Sequence, residues 1–482
     1  MRFVYRPRSK QSSPMTTSPQ TTPSVSDMYT EPGDSRETHD NPEGKVSVPD
    51  VLGPDIAYLI ITMLARNDLL SFMRTCWEAY AECMKILLLS DIVLKDSALI
   101  SGFCACVLKD ASTRGPLLRS LSFPSALDKI PSENIRALCD VLSSARKLEK
   151  LFISNAHALR CMHFYSLSSV LTMFTELKVL EVRGAQVLGA ELAQDIRIPL
   201  THLSLDWEIQ RPCTGVSMDT LEFLAPSLQV LKLTVIPPIP PSQLTFPSMH
   251  TLSFRIPAAA ADIATFIRAC PKLRSISCQT TSAPAPSVEA LRQRHERKYA
   301  KLRWEHLDYV SADVPGLYQL ALRQPTRSID ATMNDLSGHS IQWLTTVLTD
   351  MQPTHLQLHL DITADHEYTL LEDLLRGATR VTCLKLHFGY RSRISPEHVV
   401  SIVRSLSIKH LEIAGRAITQ GPDSFVPSLT HAISSVDFVA VTRLDNDISI
   451  PSMIIPGEIV VSVWSRCPEV RWHDRYNVWL NP

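Results

Sequence analysis

Neither sign of charge dominates this chain of 482 residues: 48 lysines and arginines face 49 aspartates and glutamates, a formal net charge of −1. So balanced a chain has no global field to gather nucleic acid or an anionic membrane, and neither is expected as a partner. Long apolar runs are missing too. No stretch reaches the roughly 18 uncharged apolar residues of a membrane span, and the basic start MRFVYRPRSK has no apolar segment behind it. The chain is expected to be soluble, without an ordinary secretion signal. There is no Gly-rich phosphate loop, Gly-x-Ser-x-Gly elbow, His-Glu-x-x-His or dinucleotide fingerprint. Catalysis, cofactors and metals are therefore not expected, and an enzyme would need a site assembled in space without a motif.

The 11 cysteines, from Cys76 to Cys467, form no paired framework and mostly sit in apolar runs, as reduced thiols of the cytosol or nucleus do. The one close pair, Cys104-Ala-Cys106, lacks a second pair at zinc spacing. A hydrophobic fraction of 45% with 20% charge supplies an ordinary globular core. The core does not begin at the N-terminus. Ser, Thr and Pro dominate QSSPMTTSPQTTPSVS, so residues 1–50 read as a disordered tail. Ser13-Pro14, Ser18-Pro19 and Thr22-Pro23 suit a proline-directed kinase, against the plainer reading of an inert tail.

After residue 116 the chain repeats a unit, Leu-x-x-Leu-x-apolar: LLRSLSF, KLEKLFI, ELKVLEV, PLTHLSL, SLQVLKL, SMHTLSF, KLRSISC, WEHLDYV, PTRSIDA, PTHLQLH, VTCLKLH, IKHLEIA, ISSVDFV and PEVRWHD. Their marks fall at 121, 151, 180, 203, 231, 252, 276, 307, 329, 356, 384, 411, 436 and 472, thirteen intervals averaging about 27 residues. Helical segments lie between several marks. PSENIRALCDVLSSARK starts at Ser132, SPEHVVSIVRSL puts Pro396 at the first helical position, and ADIATFIRACPKL stops at Pro271. The array resembles the leucine-rich repeats. That resemblance implies an α/β solenoid over 117–482, a horseshoe with a parallel sheet inside and helices outside. The intervals swing between 21 and 36, PPIPPSQ (237–243) replaces one helix, and APAPSVEALRQRHERKYAKLRWEH inserts a charged one.

Ahead of the repeats, LGPDIAYLIITMLARNDLLSFMRTC carries apolar residues at helical spacing, with Asn67-Asp68 read as the cap of a second run. Leu52, Asp55, Ile56, Ile60, Ile61, Leu64, Asp68, Leu69 and Thr75-Cys76 fall on the register of the F-box, which residues 51–94 resemble. Gly53 stands where that family has proline, and Pro54 comes one residue late. Residues 95–116 read as a connecting helix.

Tail, F-box-like helices and repeats together resemble the F-box proteins with leucine-rich repeats, particularly the divergent fungal kind. This implies a substrate-receptor subunit of an SCF-type ubiquitin ligase, its helices docking on a Skp-type adaptor that joins the cullin scaffold, its repeats holding a protein substrate. Adaptor contact is expected on Leu52, Pro54, Ile56, Ile60, Leu64, Leu69 and Leu70. Substrate contact is expected on the concave face, where strand alternation selects Lys150, Phe152, Glu181, Arg183, His202, Asp206, Lys232, Arg255, Gln279, His355, His359, Lys385, His387, His410 and Glu412. His355 and His359 lie two pleats apart, too far for a shared metal, and read as part of a histidine-rich face. The basic helix, from Arg292 to Arg303, is interrupted by Glu296 and reads as a solvated face. The alternative is a repeat scaffold whose first helices cap the solenoid.

Overall fold

Side chains alternate between the two faces of a strand, so each repeat mark commits its apolar residues to one side. The computed structural model describes residues 54–123, 131–154, 169–184, 196–205, 218–235, 244–256, 263–280, 285–299, 302–362, 364–418, 422–433, 435–443 and 460–465. The N-terminal tail, Leu52, Asp206, the Pro-rich turn at 237–243 and the last mark at 472 lie outside them.

Among the described residues, fifteen strands stand in sequence order in one sheet: β1 (Asp91–Val93), β2 (Ser120–Phe123), β3 (Lys150–Ile153), β4 (Val179–Val182), β5 (His202–Leu205), β6 (Val230–Val235), β7 (Thr251–Ile256), β8 (Ser275–Thr280), β9 (Tyr309–Asp313), β10 (Ser328–Met333), β11 (His355–Leu360), β12 (Cys383–Ile394), β13 (His410–Ile418), β14 (Phe438–Arg443) and β15 (Val460–Ser465). β1 to β14 pair in parallel, and β15 runs antiparallel to β14. Parallel neighbours need a crossover each time, and helices supply many of these, among them Ser97–Leu108, Ser132–Ser144, Gly338–Met351 and Asp365–Leu375. This is a solenoid of parallel strands and helices.

Its spine is a ladder in register. Leu121, Leu151, Leu180, Leu203, Leu231, Leu252, Ile276, Val310, Ile329, Leu356, Leu384, Leu411 and Val439 are opposite one another strand by strand. None exceeds 1% exposure. Each such burial contributes about 2 kcal/mol. Two marks are shifted from expectation, because Val310 and Val439 occupy the ladder in place of Leu307 and Val436. The displaced pair are still buried, in the leading apolar position that Leu148 fills in its own unit.

The sheet also begins earlier than the repeats do in the sequence, since β1 pairs with β2 through Ile92 and Leu121. The helix Ser97–Leu108 lies between those strands, capped by the Asp96 carboxylate accepting from Leu99 N at 2.8 Å. Its Ile100, Cys104 and Val107 join one core that runs from Leu88 to Val441.

The chain parts into two compact units, 1–64 and 65–482. In the first, the described element is the helix Pro54–Met63. The second opens with helices Arg66–Phe72 and Trp77–Leu89. The former starts from an extended Ala65, so Asn67 and Asp68 lie inside it rather than capping it, with Asp68 favourably placed in the first turn. The latter meets β1 and the turn at Gly115–Leu117. No helix among the described residues is long and apolar enough to cross a membrane.

Candidate functional site

Helical spacing places Ile56, Leu59, Ile60 and Met63 on one stripe of the Pro54–Met63 helix. All four are exposed, at 53%, 59%, 41% and 79%. An uncovered stripe of large aliphatics is unfavourable in water. Of the residues expected to dock, Ile56 and Ile60 lie on this stripe, Leu64 is half-buried at its end, and the Pro54 side chain lies outside the described set. In the second unit Leu70 is exposed, whereas Leu69 is buried at 3% and serves the interior. Consecutive residues sit about 100° apart on a helix, so burying one leaves the other outward.

The open face of the sheet carries the other expected residues in three rows set by strand register. Lys150, His202, His355 and His410 belong to the first row. Phe152, Glu181, Lys232, Lys385 and Glu412 belong to the second, and His359 and His387 to the third. Arg255 and Gln279 pair one row above Ser253 and Ser277, the side chain of Arg255 being outside the described set.

The rows differ in character along the sheet. Over β3 to β8, Arg183 lies 5.1 Å above the Phe152 ring and pairs with Glu181 at 2.9 Å. Glu181 and Arg183 also line a depression of about 260 Å³ together with Ser204, Lys232, Ser253 and Ser277.

Over β9 to β13 the polar groups are bound closely to one another. Tyr309 donates its hydroxyl to Asp330 Oδ2 at 3.0 Å, and Ser311 reaches the same oxygen at 3.4 Å. His359 Nε2 is 3.1 Å from Asp330 Oδ1 and 2.8 Å from the Gln357 amide. One nitrogen cannot donate to the carboxylate and accept from the amide together; with the Gln357 amide oxygen turned toward the ring, Nε2–H donates to both. His387 stacks on His359 at 4.6 Å, and Lys385 pairs with Glu412 at 3.0 Å. Burial depresses the His387 pKa to about 4, the neighbouring His359 and Lys385 pushing the same way. Burial also lowers His355 and His202.

No protein-family model matches this chain, and no curated protein sequence does. The functional reading therefore rests on the two surfaces themselves.

Several members of the second surface escaped the sequence reading. Asp330 sits one residue past the mark at 329, where the alternation that selected Lys385 and Glu412 selects it too. Asp361 and Gly389 continue the alternation of His359 and His387 just beyond the β11–β12 register. The basic helix also differs from expectation. Within Ala285–Tyr299, Arg292 and His295 are buried at 4% and 7% exposure, so this face is packed against its neighbours instead of solvated.

Proposed function

We propose that the chain is the substrate-receptor subunit of an SCF-type ubiquitin ligase. On this reading its array is a leucine-rich-repeat horseshoe, and its first helices are an F-box docking on a Skp-type adaptor and through it on the cullin scaffold. The observation that carries the reading is the exposed stripe Ile56, Leu59, Ile60 and Met63, at the place where the sequence resembles the F-box. The open face of the repeats, mixed in sign and rich in histidine, is the surface for a protein substrate. The receptor performs no chemistry; it raises the effective concentration of substrate lysines near the conjugating enzyme.

The test is calorimetric titration of the full chain with purified Skp-type adaptor. The wild type is expected to bind, and Ile56→Asp with Ile60→Asp to weaken binding by about 100-fold or more, as loss of a central apolar anchor does. Both positions are exposed, so the double variant is expected to keep the wild-type unfolding transition. An adaptor that ignores the wild type, or binds the variant equally, contradicts the proposal.

One observation favours the scaffold reading for a different helix. Trp77–Leu89 buries Ala79, Cys83 and Leu88 and lies against β1, as the cap of a solenoid does. Capping by that helix leaves the Ile56–Met63 stripe still to be covered.

A further inference from the structure

Among the described residues, two buried polar atoms on the open face have no hydrogen-bond partner: Asp361 Oδ1 and His387 Nε2. Both belong to the same corner. His387 pairs in register with His359, and Asp361 follows β11 where Gly389 follows Phe388 on the neighbouring strand. A Cβ on residue 389 would stand 2.6 Å from Asp361 Oδ1, so glycine here makes room for the carboxylate to lie across the sheet. An unpaired buried acceptor costs about 1–3 kcal/mol, and more when it is charged. Two in one corner point to a bound group that satisfies both.

The surrounding charges select its sign. Lys385 is committed to Glu412 at 3.0 Å, and Asp330 is already held by Tyr309, Ser311 and His359. Asp361 is left facing no cation among the described side chains. No group of three metal-ligating side chains exists among the described residues to hold a bare ion there. A planar cation with several N–H donors suits the corner better than a compact ammonium. Its forked N–H groups can donate to a carboxylate and an imidazole nitrogen at once.

We propose that this corner is the seat of an arginine side chain presented by a protein partner, its guanidinium donating to Asp361 Oδ1 and to His387 Nε2. Burial keeps His387 neutral at ordinary pH, so with the proton on Nδ1 its Nε2 lone pair is available to accept. The proposal rests on the receptor reading for the partner being a protein, and it deepens that reading by naming what the partner must carry.

The full chain, labelled with 15N-histidine, is titrated with the peptide Ac-Ala-Ala-Arg-Ala-Ala-NH2 and with its citrulline counterpart, which keeps the shape and loses the charge. The His387 resonance, identified by its loss in His387→Gln, is expected to shift saturably with the arginine peptide. The citrulline peptide is expected to bind about tenfold more weakly or less, as when a charge-assisted pair becomes neutral. Asp361→Asn is expected to abolish the shift. Gly389→Ala, which keeps both acceptors but crowds the carboxylate, is expected to weaken it and serves if Asp361→Asn does not fold. Arg391→Ala controls for a guanidinium supplied by the chain itself and is expected to bind as the wild type does. Absence of a shift, equal shifts with citrulline, undiminished binding by folded variants at 361 and 389, or binding that appears only in Arg391→Ala would overturn the proposal. No adaptor is present in this experiment, so its outcome is separate from that of the docking test.

Discussion

Arg292 is held on every side. Its guanidinium donates to Tyr318 O at 3.0 Å, pairs with Glu296 at 2.8 Å and Asp350 at 2.5 Å, and lies 4.3 Å over the Tyr318 ring. Removing one member of a buried, hydrogen-bonded ion group leaves the others desolvated and unpaired. Arg292→Met is accordingly expected to destabilise the repeats by about 3 kcal/mol. Arg292→Lys keeps the charge but not the fork or the stacking, and is expected to fall between the two. Urea unfolding measures both, with hydrogen exchange in Ala285–Tyr299 as the local readout should the repeats unfold in stages. His387 gives a pH prediction at the same scale. Its pKa falls from an ordinary 6.5 to about 4 in the fold, so between those values the unfolded chain binds more protons and stability drops as pH drops. Between pH 7 and pH 5 the loss from this one ring is about 2 kcal/mol. Replacement by glutamine is expected to remove that share of the pH dependence, read as the difference in unfolding free energy at the two pH values.

Elements meet closely where the array begins. At Gly115 a Cβ would come within 2.3 Å of Ser144 Oγ and 2.8 Å of the Ser144 carbonyl, so the turn before β2 packs directly against the end of Ser132–Ser144. Because backbone as well as side chain blocks the space, Gly115→Val is expected to cost about 1–3 kcal/mol, measured as a lowered unfolding midpoint with protection lost first in β1 and β2. The same region shows what a sequence hides. Leu89-Ser90-Asp91-Ile92-Val93-Leu94 follows the repeat pattern and precedes the 121 mark by a repeat length, but it continues the apolar run of Trp77–Leu89 and so reads as helix. The ladder itself was legible because thirteen strands each repeat one apolar signal. Val310 and Val439 were misplaced by three residues because Leu307 and Val436 imitate that signal one step early. Arg292 and His295 were misread because charge spacing along a helix says nothing of which face a neighbour covers. Of the candidate site, the histidines of β11 and β12 were visible by alternation. The lean of the Asp361 carboxylate across the sheet was not, since it depends on the glycine at 389.

At the scale of the whole chain, one continuous core from Leu88 to Val441 makes the repeats a quasi-one-dimensional body whose buried ladder leaves the opposite face free. Helices at the start of that body and the separate helix Pro54–Met63 divide two tasks. Trp77–Leu89 closes the core, and the Ile56–Met63 stripe is left open. The proposed receptor role calls for both, a surface for one partner and an uncovered apolar anchor for another. The most direct measurement of that claim is affinity purification of the full chain from its native cells, followed by quantitative mass spectrometry. Skp-type adaptor and cullin peptides are expected in near-equal amounts with the wild type and are expected to vanish with Ile56→Asp and Ile60→Asp. Recovery of neither adaptor nor cullin with the intact chain would contradict the account.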